Sequence, residues 1–176
     1  RVVIPFYKAL KLGRSKKKFL KEFSVPYAGK PEKVKIFQVT HPTSLVPVYL
    51  LQNKRYLETP DFPDTFAFFD KAIVVASKDN HFSWTPEIIH FNYVHTGLIP
   101  LLIKEEKLPV KTILTIHNLT YQGKTSLEIL KKIGLEEKKC LVAPWEISSR
   151  QINFLLEGII HADLITTVSP TYAKEI

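Results

Sequence analysis

The stretch TILTIHNLTYQG at residues 112–123 decides the fold of this chain. A run of β-branched and apolar residues leads directly to His117 and Asn118, and a turn-rich tail follows. This pattern predicts a buried strand that brings an imidazole and an amide to the carboxyl edge of a sheet. In open parallel α/β sheets, ligands bind just outside the carboxyl ends of the strands. The pattern therefore favours recognition of a polar ligand at this edge, and a histidine that only closes a turn is the alternative.

The neighbouring segments alternate between strand and helix patterns. A short strand at 87–90, a helix over about 96–106 and a strand at 112–116 have the spacing of a βαβ unit, in which parallel strands need a helical crossover. Residues 164–168 predict a further strand, and the Ser-Pro pair after it is typical of a helix N-terminus. This alternation predicts an α/β fold with a doubly wound, mainly parallel sheet.

Patterns outside this unit are more varied. Strands are predicted at 34–39 and 46–51, and residues 65–76 are apolar almost all round, which predicts a buried helix. The basic, proline-containing stretch at 11–33 is interpreted as an excursion loop. Two later helices are predicted at 126–133 and 151–161.

Bulk composition favours one soluble domain. The 176 residues are 45% hydrophobic and 24% charged, and no apolar run is long enough to span a bilayer. The chain opens inside a strand pattern without a secretory signal, and the single Cys140 allows no internal disulfide, so we expect a cytoplasmic protein, or a plastid protein if the source is a plant. Cys140 is interpreted as a packing or spectator residue. The oligomeric state is not predicted.

The net charge of +8 raises the question of nucleic acid. Much of the excess lies in two basic runs, at 8–21 and 30–35, and no recognised nucleic-acid motif accompanies them. Such runs are more often solvated faces than phosphate tracks. We therefore expect neither a nucleic-acid partner nor a membrane partner.

Four blocks in order carry a resemblance to a known family. They are VVIPFYK at 2–8, TPEIIHFNYVHTGLIP at 85–100, IHNLTYQG at 116–123 and NFLLEGIIHADLITTVSPTYAKEI at 153–176. Together they resemble the N-terminal domain of bacterial glycogen synthases and plant starch synthases, which are retaining glucosyltransferases with two Rossmann-like domains, the GT-B architecture. The resemblance implies a fragment that is truncated at both ends and lacks the second, nucleotide-sugar-binding domain. It implies no cofactor.

The same resemblance assigns candidate site residues. His117 matches the family histidine that contacts the donor glucose, so it is the catalytic candidate, and an imidazole suits a sugar hydroxyl. Further substrate-binding candidates are Asn92, Tyr93, Asn118, Tyr121 and Gln122, although loop-holding roles are at least as well supported for Asn118, Tyr121 and Gln122. The pair His90 and His95 raises the question of a metal site. The two residues straddle a strand–helix junction, and no thiol or carboxylate lies between them, so we expect no metal.

One position departs from the family in a way that bears on function. The family block H-x-H-D-W-H-T is here HFNYVHT at 90–96, so Tyr93 stands at the aspartate position and Asn92 at the middle histidine. A carboxylate can accept two sugar hydroxyls with charge-assisted strength, and a phenol cannot. Two main hypotheses therefore remain for the parent protein, and a GT-B transferase of other specificity is a third. The parent is either a glucosyltransferase that moves glucose from ADP-glucose or UDP-glucose to an α-1,4-glucan, or a non-catalytic glucan-binding or regulatory homologue. The fragment alone is predicted to be inactive.

Overall fold

The computed structural model describes residues 1–13, 15–41, 43–136 and 143–176. Cys140 lies outside the described residues. The strands are β1 (Val2–Pro5), β2 (Lys18–Tyr27), β3 (Lys30–Thr40), β4 (Pro47–Gln52), β5 (Ile88–Asn92), β6 (Lys111–Ile116), β7 (Lys124–Ser126), β8 (Gln151–Asn153) and β9 (Leu164–Thr167). The helices are α1 (Asp64–Lys78), α2 (Ile99–Glu105), α3 (Glu128–Lys132), α4 (Pro144–Ser149), α5 (Phe154–His161) and α6 (Tyr172–Glu175), with a 3₁₀ turn at Val94–Thr96 before α2.

The described strands form a parallel sheet, a mixed sheet and a small hairpin-like pair. Strands β5, β6 and β9 are all parallel, in the order β5-β6-β9. The mixed sheet has the order β1-β4-β3-β2, in which β1 runs parallel to β4 and the remaining pairs are antiparallel. Strands β7 and β8 pair antiparallel. The predicted α/β class with a parallel sheet is confirmed, and so is the βαβ unit from β5 through α2 to β6.

The predicted buried helix at 65–76 is confirmed as α1, which lies at the centre of the core. Twelve of its fifteen residues are buried, in agreement with its apolar sequence. It packs against β2 on one side and against α2 on the other. Its Asp70 is fully buried and accepts a hydrogen bond from the Leu98 backbone N–H at 3.0 Å, which fixes the entry to α2. Burial raises the pKa of this carboxyl well above its usual range.

The prediction of a loop at 11–33 is wrong for its second half. Residues 18–27 form β2, the edge strand of the mixed sheet, and pair with β3 through a tight turn at Ala28 and Gly29. The inward side chains Phe23, Val25 and Tyr27 are buried and supply the period-two pattern of a strand. Lysines on the outward positions and Pro26 hide that pattern, and an edge strand is where a proline is tolerated.

The predicted helix at 151–161 begins three residues too early. Residues Gln151–Asn153 form β8 instead, and the helix starts at Phe154 because the Asn153 side chain caps it, accepting from the Leu156 N–H at 3.0 Å. The helices predicted at 96–106 and 126–133 are present but shorter than predicted. At the chain end, Ser169 Oγ accepts from the Tyr172 N–H at 3.1 Å, as an N-cap side chain does.

Close packing between glycines joins α5 to the 3₁₀ turn. A Cβ at Gly97 would lie 2.1 Å from the Phe154 carbonyl oxygen, and a Cβ at Gly158 would lie 3.3 Å from the Gly97 carbonyl oxygen. There is no room for a Cβ at Gly97 and little room for one at Gly158, so the start of α5 packs directly against the segment that follows β5. Among the described residues, no helix is both long enough and apolar enough to cross a membrane.

Candidate functional site

The carboxyl ends of β5 and β6 bring four of the predicted site residues together, namely Asn92, Tyr93, His117 and Asn118. Because the two strands are parallel neighbours, with Asn92 paired to Thr115, their following residues emerge at the same edge. His117 Nε2 lies 3.1 Å from Asn92 Oδ1. An amide oxygen only accepts, so this contact places the imidazole proton on Nε2 and leaves the lone pair on Nδ1. His117 thus lies at the carboxyl edge that its strand pattern predicts, next to the residues that follow His90.

Tyr93 joins the two loops at this edge. Its hydroxyl donates to Asn118 Oδ1 at 2.7 Å and accepts from the Tyr121 backbone N–H at 3.2 Å. Asn118 Oδ1 also accepts from the Thr120 N–H at 3.1 Å, which closes a turn. The Tyr93 ring stands edge-on to the His117 ring with 6.2 Å between centroids. These contacts confine both loops, so the phenol is part of the framework of the site.

The backbone of Tyr93 is strained. Its φ of 59° with ψ of −165° lies in a region that residues with side chains rarely adopt. The hydrogen bonds of its hydroxyl hold the residue there. Strained backbone of this kind is most often found at active sites and ligand-binding sites.

The two histidines of the metal hypothesis have separate surroundings. His90 Nε2 lies 2.7 Å from Thr115 Oγ1, which in turn lies 2.8 Å from Thr166 Oγ1, so a polar row crosses the three parallel strands. His95 packs against the Phe66 ring at 4.5 Å, and burial lowers its pKa, which favours the neutral imidazole. The described residues contain no group of three or more His, Cys, Asp or Glu that could hold a metal ion.

Gln122 faces away from His117. Its Oε1 accepts from Asn153 Nδ2 at 2.8 Å, and its Nε2 donates to the Leu119 carbonyl at 3.2 Å. The backbone carbonyls of Gln122 and Gly123 accept from the first N–H groups of α5, at 3.1 and 3.2 Å. Tyr121 remains 47% exposed beside this turn. The loop after β6 is therefore fastened at both ends, by Tyr93 on one side and by α5 on the other.

A buried pair of glutamates, Glu146 and Glu157, lies beside the contact between this loop and α5. This pair was not predicted from the sequence. Glu146 Oε1 accepts from the Asn153 backbone N–H at 2.6 Å, beside the fully buried Glu157. Burial and a hydrogen bond with Glu157 raise the pKa of Glu146 to about 8. Glu157 Oε2 lies 3.1 Å from His161 Nε2, one helical turn on. Glutamate is usually a surface residue, and the sequence near Glu146 has no periodicity to indicate its burial.

A cavity lies beside the site, between β1 and β5. It has a volume of about 640 Å³. Its walls are mainly apolar side chains of β1, α1 and β5, and Asn92, His95 and Thr96 also reach it. Asn92 therefore belongs both to the polar cluster with His117 and to the lining of this apolar cavity.

The chain is similar to known proteins in sequence and in fold. The family described as "Starch synthase catalytic domain" matches residues 1–176. Glycogen synthases from Pseudothermotoga lettingae and Thermosipho africanus are each 35% identical to the chain over 192 residues, covering 99% of the chain and 39% of each relative. The chain thus spans about two-fifths of the length of these relatives. A solved structure, the catalytic domain of starch synthase IV from Arabidopsis thaliana bound to ADP and acarbose, matches with a TM-score of 0.85 and 24% identity, over 98% of this chain and 38% of that one.

Proposed function

Because this chain belongs to the starch synthase catalytic domain family, we propose that it forms part of the active site of a retaining glucosyltransferase. The reaction moves glucose from ADP-glucose, or from UDP-glucose, to the non-reducing end of an α-1,4-glucan. The observation that carries the proposal is the cluster at the carboxyl edge, where His117, Asn92, Tyr93 and Asn118 converge. The partners are the nucleotide-sugar donor and the glucan acceptor, and the setting is the cytoplasm, or the plastid if the source is a plant.

His117 is the residue that contacts the donor glucose in this proposal. Asn92 holds the ring through Nε2, and within the described part of the chain no other group hydrogen-bonds the imidazole. Nδ1 is therefore open to accept a hydrogen bond from a sugar hydroxyl. A ring held in one orientation before the sugar arrives loses little entropy on binding, which is how a positioned group contributes to the rate.

The remaining candidates divide into sugar contacts and supports. Asn92 lies beside His117 and offers its amide to the same sugar, and the exposed Tyr121 offers an aromatic face for the glucan. Tyr93 and Asn118 hold the loops, since the hydroxyl of one and the amide oxygen of the other are engaged with each other and with backbone N–H groups. Gln122 acts from the far side of its loop, where it meets Asn153.

The chemistry of the cluster fits the sugar end of the donor. Across the described ranges, no Lys or Arg side chain hydrogen-bonds to Asn92, Tyr93, His117 or Asn118. Transfer from a nucleotide sugar requires positive charge on the departing diphosphate. The cluster supplies hydrogen bonds for hydroxyls and not that charge. We therefore expect residues 1–176 alone to bind sugar without transferring it.

A non-catalytic glucan-binding homologue is the second candidate. The observation that favours it is Tyr93, whose hydroxyl is already engaged by Asn118 and Tyr121 and which stands where the resembling enzymes have an aspartate. Without a carboxylate at this position, one charge-assisted contact to the sugar is missing. The fold and the capacity to hold a glucan would remain in such a homologue.

Incorporation of label into glycogen separates the two candidates. The full-length protein that contains residues 1–176 is incubated with glycogen and with either ADP-glucose or UDP-glucose that carries labelled glucose. A glucosyltransferase incorporates label from at least one donor, and the better donor identifies the nucleotide. A protein that is retained on immobilised glycogen but incorporates no label is the binding homologue. A protein that does neither would contradict both candidates.

A further inference from the structure

A second cavity lies on the far side of the loop that carries His117. It has a volume of about 390 Å³ and is formed by that loop together with β7, α4, β8 and α5. Leu119 and Gln122 contribute from the loop, and Trp145 and Ser149 contribute from α4. The loop therefore separates the imidazole cluster from this cavity and contributes side chains to both places.

Trp145 is the most unusual residue of the cavity. It sits in the first turn of α4 and is 62% exposed, although an indole is among the side chains with most to gain from burial. Apolar side chains of α5, Leu156 and Ile159, also line the cavity. An exposed indole beside an apolar wall offers a flat surface for a ring-shaped ligand with an apolar face.

The polar groups of the cavity indicate a neutral ligand rich in hydroxyl groups. Gln122 and Asn153 are bonded to each other and form a fixed amide pair. Gln151 and Lys124 are exposed and make no side-chain hydrogen bond to any described residue, so their donors and acceptors are available. Glu146 is the acidic residue in the described lining, and it is buried with Oε1 engaged by the Asn153 N–H. A pyranose combines an apolar ring face with hydroxyl groups that can both donate and accept, which matches this set.

We propose that the Trp145 cavity is a second glucan site, which holds a stretch of the α-1,4-glucan chain away from the end that reacts at His117. The identity of the sugar rests on the proposed function, whereas the site itself rests on the cavity. Holding the acceptor chain at two places on one loop raises the local concentration of its free end near the imidazole. The amide pair of Gln122 and Asn153 then links both sites mechanically, because it fastens the loop to α5.

Intrinsic fluorescence tests the proposal on the chain itself, which contains only two tryptophans. Trp84 packs against Phe82 and the Arg1 guanidinium, so Trp84→Phe leaves Trp145 as the single reporter. Titration of this variant with maltoheptaose should give a saturable change in emission, and cellopentaose, a β-1,4-glucan, should give none. Unchanged emission with maltoheptaose would overturn the proposal.

Calorimetry with matched variants then locates the site. Trp145→Ala should weaken maltoheptaose binding about tenfold through loss of the stacking surface. Ile147→Ala truncates another exposed apolar residue of the same helix, which lies outside the cavity, and should leave the affinity within about twofold. Binding that is unchanged by Trp145→Ala would overturn the proposal while leaving the proposed function intact. Binding that depends on Trp145 in a native protein without transferase activity would support the cavity and refute the glucosyltransferase.

Discussion

The antiparallel and parallel parts of the molecule use polar residues in opposite ways. Residues 8–35 hold ten lysines and arginines against two glutamates, a balance that equals the +8 of the whole chain. In the β2–β3 hairpin these charges point outward, and Lys35 and Glu22 form a loose ion pair at 3.9 Å. At the parallel edge the polar side chains Asn92, Tyr93, His117 and Asn118 include no lysine, arginine or carboxylate, and they are hydrogen-bonded in pairs.

The difference follows from strand direction. Antiparallel neighbours end at opposite edges, so polar residues at their ends are dispersed, whereas parallel neighbours end at one edge and their following residues converge. Asn92, Tyr93 and His117 meet for this reason although 25 residues separate Asn92 from His117. The dense run of charge therefore lies on a solvated face in this protein, and a sparse set of strand-end residues forms the proposed site.

The largest expected effect is at the glycine contact of the parallel part. Gly97→Ala should destabilise the protein by about 3 kcal/mol or more, because the new Cβ meets a backbone carbonyl that cannot move without α5. Gly29→Ala in the β2–β3 turn is the control, since nothing lies within 4 Å of it and only its φ of 76° opposes a side chain, at about 1 kcal/mol. Urea denaturation measures both, and equal losses would contradict the packing argument.

The next effect is a pH dependence that arises from the acidic pair under α5. Burial and the hydrogen bond with Glu157 raise the pKa of Glu146 to about 8, against an ordinary value of 4.5. The folded protein thus keeps a proton that the unfolded chain releases, and the stability from this proton is complete below 4.5 and lost as the pH rises towards 8. Thermal unfolding between pH 5 and 8 should show a steeper fall in Tm for the wild type than for Glu146→Gln.

Two comparisons check this pH effect. Glu22→Gln in the exposed hairpin pair should leave the pH slope of the wild type unchanged, because that pair is solvated. Identical slopes for the wild type and Glu146→Gln would show that Glu146 does not hold the proton. In either case Glu146→Ala should lower Tm more than Glu146→Gln, since it also removes the acceptor for the Asn153 N–H.

The smallest effect on stability is expected at Tyr93, whose hydroxyl joins the two loops of the proposed site. Tyr93→Phe removes the hydroxyl that binds Asn118 and accepts from the Tyr121 N–H, at a cost of about 1 kcal/mol. Hydrogen exchange should speed up at the Tyr121 amide while the amides of the β2–β3 ladder keep their wild-type rates. Unchanged exchange at Tyr121 would mean that the phenol does not hold the loop.

The parallel part of the fold can be predicted from the sequence better than the antiparallel part can, and the reasons are physical. The strand that ends at His117 is apolar and β-branched, so its position and the convergence of Asn92, Tyr93 and His117 could be predicted. Strand β2 could not, because outward lysines and Pro26 mask the buried alternation that only pairing with β3 requires. A strand at an edge tolerates such residues, and a local pattern cannot show which strand will be the edge.

Details of the site depend on contacts between distant segments. The hydroxyl of Tyr93 meets Asn118 and Tyr121 while the backbone of Tyr93 adopts a positive φ, which no local pattern indicates. Gln122 turns to Asn153, which lies 31 positions later in the chain. Glu146 is buried through tertiary packing, with no local pattern to indicate it. Each of these contacts needs the fold in three dimensions.

We propose that the donor sugar binds at the parallel edge, and not at the basic face of the β2–β3 hairpin. Two exposed histidines offer a direct test, His117 at that edge and His41 in the turn between β3 and β4, where Thr43 and Ser44 contact its ring. His117→Ala and His41→Ala are each made in the full-length protein that contains residues 1–176. The transfer of labelled glucose from nucleotide sugar to glycogen is then measured for both variants and for the wild type. We expect a loss of about a hundredfold for the first, and a rate within about twofold of wild type for the second. Wild-type transfer by His117→Ala, or an equal loss in both variants, would contradict the account.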